Sequence, residues 1–275
     1  MNLQDRYLGC LFGLACGDAV GTTVEFSPRS SFSPLTHMVG GGPFRLQAGQ
    51  WTDDTSMALC LAASLVECNG FDARDQMERY VRWLEEGYYS STGRCFDIGA
   101  TTSQALHRYK RTGDPFSGSA DPYSAGNGSI MRLAPAPLFF YPNRDAAMHY
   151  AAQSSRTTHA ATECLDACRL LAAILVAAFS GEDKEHALFA QERHIPEDAP
   201  LSPKIQEIAS GAYRHKPIDE IDGSGYVVKS LEAALWCFYT TTNYRDAILA
   251  AANLGNDADT TAAICGQVAG AYYGI

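Results

Sequence analysis

Gly9, Gly13, Gly17 and Gly21 recur every fourth residue, and this spacing constrains the fold more than any other feature of the chain. Positions four apart share one face of an α-helix. A glycine inside a helix costs about 1 kcal/mol relative to alanine. Four on one face therefore predict a neighbouring backbone that comes too close for a Cβ atom. Tyr7, Leu8, Leu11, Phe12, Leu14 and Ala15 line another stripe of the same helix.

Helical period continues over Asp54–Cys68, Ala73–Glu86, Ala100–Arg111, Arg144–Ser155, His159–Phe179, Val227–Tyr239, Tyr244–Leu254 and Ala258–Tyr272. No convincing period-two strand interrupts it. The expected fold class is all-α: a compact single-domain helical bundle over residues 1–275, long enough at 46% hydrophobic content to bury a core. Two long connections, 21–49 and 111–127, are longer than an ordinary loop in a compact domain and so are expected to bind something or to move. The weakly patterned, charged stretch 181–224 reads as a surface excursion.

A net charge of −10 argues against direct nucleic-acid binding or an acidic membrane surface, while leaving a local anion site open. The longest apolar run, Leu170 to Phe179, is too short to cross a bilayer. Nine cysteines form no CxxC pair, and the N-terminus lacks a basic leader, so a reducing, cytoplasmic setting is expected. Cys164 and Cys168 share a helix face, but buried apolar thiols are the commoner use of such a pair than zinc.

Two helix starts carry the chemistry. Thr52, Asp53, Asp54 and Thr55 open one, and Asn256, Asp257, Asp259 and Thr260 open the last. Taken singly, each reads as an N-cap. Together they offer more acceptors than a helix start requires, which points to a cation. The donors are hard oxygens, favouring Mg²⁺ or Mn²⁺ over zinc. Were the two starts to meet, two divalent ions would balance four aspartates. Glu25, after the glycine-rich GDAVGTTVE, can ligate a metal, orient a water or sit solvated in a loop. Asp18 is expected to make local backbone hydrogen bonds.

Gly126, Asn127, Gly128 and Ser129 precede an apolar segment, where N–H groups can converge on a phosphate; the same residues also make an ordinary turn. Arg132 can pair with a phosphate or, more commonly, with a buried carboxylate. His159 stands at a helix start, Asp97, Gly99 and Thr102 read as capping residues, and Tyr226 follows a flexible Gly-Ser-Gly.

The blocks GLACGDAVGTTVE (13–25), GQWTDDTSM (49–57), GNGSIMRLAP (126–135), TTHA (157–160), GYVVKSLEAALW (225–236) and GNDADTTAA (255–263) together resemble the ADP-ribosylglycohydrolase family. Its members include dinitrogenase-reductase-activating glycohydrolases and ADP-ribosylarginine and ADP-ribosylserine hydrolases. The resemblance spans nearly the whole chain apart from 181–224. It implies an enzyme that uses two Mg²⁺ or Mn²⁺ ions to cleave ADP-ribose from a modified protein, with ADP-ribose as product. It assigns the metals to Thr52, Asp53, Asp54, Asp257, Asp259 and Thr260, and catalysis to Glu25, Asp53, Asp54 and Asp259. The substrate falls to Asp97, Gly99, Gly126, Asn127, Gly128, Ser129, Met131, His159 and Tyr226, with the diphosphate on the GNGS loop. The short length and the GGGPF…WTDDTSMAL run resemble the arginine-linked branch. Serine- or small-molecule-linked ADP-ribose, or a non-catalytic ADP-ribose-binding or structural member, are the alternatives.

Overall fold

The structure, a computed structural model, describes residues 1–189 and 194–274. Its centre is an antiparallel pair, α1 (Leu3–Gly21) and α12 (Ala258–Tyr273), whose backbones touch along the glycine column. A Cβ added at Gly9 would lie 2.2 Å from the Gly270 carbonyl oxygen, at Gly13 2.0 Å from that of Gly266, and at Gly17 2.1 Å from that of Ala262. Gly266 and Gly270 are equally restricted, facing the Gly13 and Gly9 carbonyls at 2.0 and 1.9 Å. The buried face of α1 is thus its small residues, with Leu14, while Leu11 and Phe12 on the larger apolar stripe stay exposed. The stretch Leu3–Val24 is long and apolar enough to cross a membrane, yet here most of it is buried inside the fold. Arg6 fastens the pair by donating to the carbonyls of Ala178, Ala271 and Tyr272, near the C-terminal ends of two helices.

Around this pair lie α2 (Asp53–Glu67), α3 (Ala73–Glu86), α4 (Ala100–Thr112), α5 (Pro135–Phe140), α6 (Arg144–Arg156), α7 (Thr162–Phe179), α8 (Lys184–Phe189), α9 (Pro203–Ala209), α10 (Val227–Thr240) and α11 (Tyr244–Ala252). Pairing in the β sense is limited, among the described residues, to three isolated bridges. One hydrophobic cluster runs through α1, α7, α10, α11 and α12, with α7 buried from Leu170 to Phe179.

Three expectations need correction. α7 begins at Thr162 rather than His159, because the Ala160 amide pairs with the Ser119 carbonyl and so holds the chain out of the helix. α5 escaped notice because Pro135 and Pro137 mask a short helix whose first N–H groups need no partner. The stretch 181–224 is more than a surface excursion: Leu188, Ile205, Ile208 and Tyr213 bury into the main core. Residues 190–193 of that stretch lie outside the described residues.

Candidate active site

The two acidic helix starts converge. The Thr52 hydroxyl lies 3.4 Å from Asp259 Oδ2, and the Thr260 hydroxyl 3.3 Å from Asp54 Oδ1, linking residues some two hundred positions apart. The residue that makes this possible is Asp18, carried on α1 and fully buried. Its Oδ1 accepts from the Thr52 amide and hydroxyl, both at 2.9 Å, and its Oδ2 from the Thr55 amide and hydroxyl at 3.0 and 2.6 Å. The expected local bonding of Asp18 is therefore wrong: it caps α2 from another helix. Neither Thr52 nor Asp257, the N-cap residues of α2 and α12, makes a side-chain capping bond among the described residues, and with Asp18 capping α2 the Asp53 and Asp54 side chains are not needed for that.

These side chains face a cavity of about 360 Å³. One wall holds Glu25, Asp53, Asp97, Asp257, Asp259 and Thr260, with Asp54 and Thr52 buried behind it. Glu25, Asp97 and Asp259 each bring a carboxylate oxygen within 4.8 Å of the others. Asp97, whose sequence context suggests a cap, is not the N-cap of α4, a place taken by Gly99; its positive φ of 58° turns it into the carboxylate cluster.

No lysine or arginine lines this cavity among the described residues. Burial first, then the charges of Asp97 and Asp257, push the Glu25 carboxyl up to about 9. Burial first, then Asp18 and Asp257, raise Asp97 to about 7. Asp53, Asp54 and Asp259 are held well above the carboxylate range by burial and by each other. Burial also raises Asp257, partly offset by the Asn127 amide, which donates to Asp257 Oδ2 at 2.7 Å. Glu25 Oε2 and Asp54 Oδ2 are buried without a hydrogen-bond partner among the described residues. Such a concentration of unneutralised, unpartnered carboxylate oxygen, without histidine or thiol, fits hard divalent cations.

The rest of the lining includes the loop through Gly126, Asn127, Gly128 and Met131, with His159, Gly99 and Thr102. The amides of Gly126 and Asn127 are spent on the carbonyls of Ser124 and Gly225, while those of Gly128 and Ser129 meet no acceptor among the described residues. Only half the expected N–H cluster is therefore available. The Ser129 side chain points away from the cavity, toward the Cys168 thiol at 3.5 Å, and Cys164 donates to the Gly126 carbonyl at 3.3 Å. The two cysteines brace the loop from α7. Asn127 bridges to Ser230 as well as Asp257, and Gln267 of α12 holds the Ile130 and Met131 carbonyls, so one helix supports both walls.

Tyr226 lies outside this cavity, in an adjoining one that shares Thr101, Gly126 and Gly225. Its hydroxyl donates to Glu163 at 2.5 Å and accepts from Lys204 at 2.6 Å. Arg132 pairs with neither a phosphate site nor a carboxylate: its guanidinium donates to the Gly128 carbonyl at 2.6 Å and the Thr158 hydroxyl at 2.7 Å. Sequence reasoning passed over Phe26 and Gly225, which also line the cavity. The second closes the flexible Gly-Ser-Gly already noted before Tyr226.

A helical protein that sets a buried carboxylate cluster against an amide-bearing glycine loop is built as a hydrolase for a polar, anionic substrate. The pattern of the ADP-ribosylglycohydrolase family matches residues 1–275. The ADP-ribosylarginine hydrolase Tri1 of Pseudomonas putida (strain GB-1) is 49% identical over 98% of this chain and 71% of its own length. The ADP-ribosyl-[dinitrogen reductase] glycohydrolase of Rhodospirillum rubrum is 31% identical over 100% of this chain and 87% of its own. A solved structure titled ADP-ribosylglycohydrolase-related protein complex superimposes with a TM-score of 0.86 at 44% identity, over 99% of this chain and 89% of that one. The chain belongs to the ADP-ribosylglycohydrolase family.

Proposed function

We propose that this protein hydrolyses the N-glycosidic bond between ADP-ribose and an arginine side chain of a modified protein, releasing ADP-ribose. The observation that carries this reading is that one cavity joins the carboxylate cluster to the Gly126–Gly128 loop, in a chain 49% identical to an ADP-ribosylarginine hydrolase. Coulomb repulsion sets the pose. The diphosphate lies on the free amides of the loop, away from the carboxylates, and the terminal ribose lies against the acidic wall.

Thr52, Asp53, Asp54, Asp257, Asp259 and Thr260, with Glu25 beside them, would hold two divalent cations, Mg²⁺ or Mn²⁺, which when bound would polarise the ribose hydroxyls and water. Hydrolysis proceeds through an oxocarbenium-like state at the anomeric carbon. A carboxylate at the cavity, Glu25 or Asp259, which would be ionised with the cations bound, takes a proton from water as its oxygen bonds that carbon, and the proton then passes to the departing guanidine nitrogen. Nine unpaired thiols suit a reducing, cytoplasmic setting.

The test offers purified protein arginine-, serine- and acetyl-linked ADP-ribose side by side and measures freed ADP-ribose. Release from the arginine linkage is expected. Release only from another linkage, or undiminished release with chelator present, would overturn the reading.

A further inference from the structure

Arg132 is the largest buried charge that the proposed chemistry leaves unused. It is fully buried, and among the described residues its Nε has no partner and it meets no carboxylate. The guanidinium lies over the Tyr80 ring, 4.8 Å from its centroid, close to the Met57 sulfur. Burying a guanidinium without a counter-charge is strongly unfavourable, so its remaining contacts hold the explanation. There are two, the Gly128 carbonyl and the Thr158 hydroxyl, and both lead to the substrate cavity.

The Thr158 contact fixes a proton. An arginine can only donate, so Thr158 Oγ1 is an acceptor toward Arg132 and keeps its own hydrogen free. The other partner of that oxygen is His159 Nδ1, at 2.8 Å. With the Thr158 hydroxyl donating to Nδ1, its buried hydrogen is satisfied and the one unmatched donor is left at the cavity wall. His159 Nδ1 is then bare, and its one proton sits on Nε2. Burial and the Arg132 charge push the imidazolium down to about 3, so the ring is neutral. Nε2 lies beside the loop: a Cβ on Gly126 would be 3.4 Å from it, and one on Gly128 3.1 Å.

The Gly128 contact fixes a peptide plane. In a trans peptide the carbonyl and the next N–H point in opposite directions. With the Gly128 carbonyl held on Arg132, the Ser129 amide must point away from Arg132. We propose that Arg132 is a positioning residue which, through Thr158, locks His159 as a neutral Nε2–H donor and, through Gly128, aims the Ser129 amide, so that both serve one anion. That anion is a phosphate of the substrate's diphosphate, an identification that rests on the function proposed above.

The experiment joins a spectroscopic reading to a binding one. Long-range ¹H–¹⁵N spectra of the ¹⁵N-histidine-labelled protein report which ring nitrogen carries the proton, without any ligand. His159 is expected in the Nε2–H form in the native protein and in Thr158→Ser, and as a mixture or the opposite tautomer in Thr158→Val. ADP-ribose affinity, by calorimetry, should fall about tenfold in Thr158→Val, the equivalent of losing one hydrogen bond to a charged group, and recover in Thr158→Ser. Arg132→Lys, which keeps the charge and loses the fork, should weaken binding further. An Nδ1–H tautomer in the native protein overturns the relay. A changed tautomer with unchanged affinity overturns its role in binding. Failure of the native protein itself to bind ADP-ribose, with the tautomer as expected, overturns the diphosphate reading and the proposed function instead.

Discussion

Replacing Gly13 by alanine adds one methyl group to a helix, a change that in a solvent-facing position would stabilise the protein by about 1 kcal/mol through helix propensity. Here the opposite is expected. The new Cβ would lie 2.0 Å from the Gly266 carbonyl oxygen and 2.8 Å from its carbon, about 1.5 Å inside ordinary contact. Both obstructing atoms are backbone, so no rotamer change relieves them. α1 and α12 must separate, loosening the equally close approaches at Gly9, Gly17 and Gly21. Overpacking of a core costs about 1–3 kcal/mol, with rigid neighbours at the upper end. Subtracting the propensity gain leaves a net loss of about 2 kcal/mol, or roughly 4–8 °C in Tm for a chain of this size. Urea and thermal unfolding would measure it, with Leu11→Ala on the exposed stripe as a control that should change stability less. An unchanged or raised Tm for Gly13→Ala would refute the backbone-contact argument.

The acidic wall makes a pH prediction of definite sign. Glu25, at about 9 in the folded chain against an ordinary 4.5, keeps a proton that the unfolded chain has lost, so metal-free protein should lose stability as pH rises from 7 to 9. The slope is up to about 1.4 kcal/mol per pH unit for each such group, and His159, neutral in both states above 6.5, does not interfere. Tm in chelator across that window checks it, and added Mn²⁺ should restore stability at the alkaline end; a flat or rising Tm in chelator contradicts the burial argument. Asp54→Ala and Asp259→Ala should each abolish release of ADP-ribose from modified arginine while leaving the helical circular dichroism largely intact. Gly128→Val, whose Cβ would lie 2.8 Å from His159 Cε1, should weaken ADP-ribose binding far more than Mn²⁺ binding, as parallel titrations would show.

What the sequence disclosed follows from the range of the forces involved. Helices of ten residues or more announce themselves because burial repeats at their period, so most boundaries fall within a residue or two. The surplus of carboxylates at two helix starts was legible for the same reason: capping is local, and its requirements can be counted. What stayed hidden was set by contacts with no fixed spacing. Asp18 caps α2 across 34 and 37 positions, and nothing in GDAVG distinguishes that from a local turn. Asp97 sits in DIGATT, a sequence that imitates a helix cap, yet a left-handed backbone turns it into the cavity. Arg132 looks like half of an ion pair, because the hydroxyl and carbonyl that hold it leave no charge pattern.

The glycine column and the acidic wall are therefore one feature. Gly21, the last of the four, lies against the Ala258 carbonyl and the Asp259 Cα, each 2.4 Å from its absent Cβ. That approach sets the end of α1 against the first turn of α12. Asp18, one turn earlier, then reaches Thr52 and Thr55 and draws the start of α2 to the same point. Side chains of ordinary size between α1 and α12 would move Asp259 away from Asp18, and from the α2 start that Asp18 holds, by an ångström or more, beyond what the Thr52–Asp259 and Thr260–Asp54 contacts of 3.4 and 3.3 Å could span. A methyl group at Gly21 should accordingly reduce metal affinity and turnover by more than its effect on stability explains. Equal losses of activity and folded fraction across a denaturant titration of Gly21→Ala would show that the column serves packing alone.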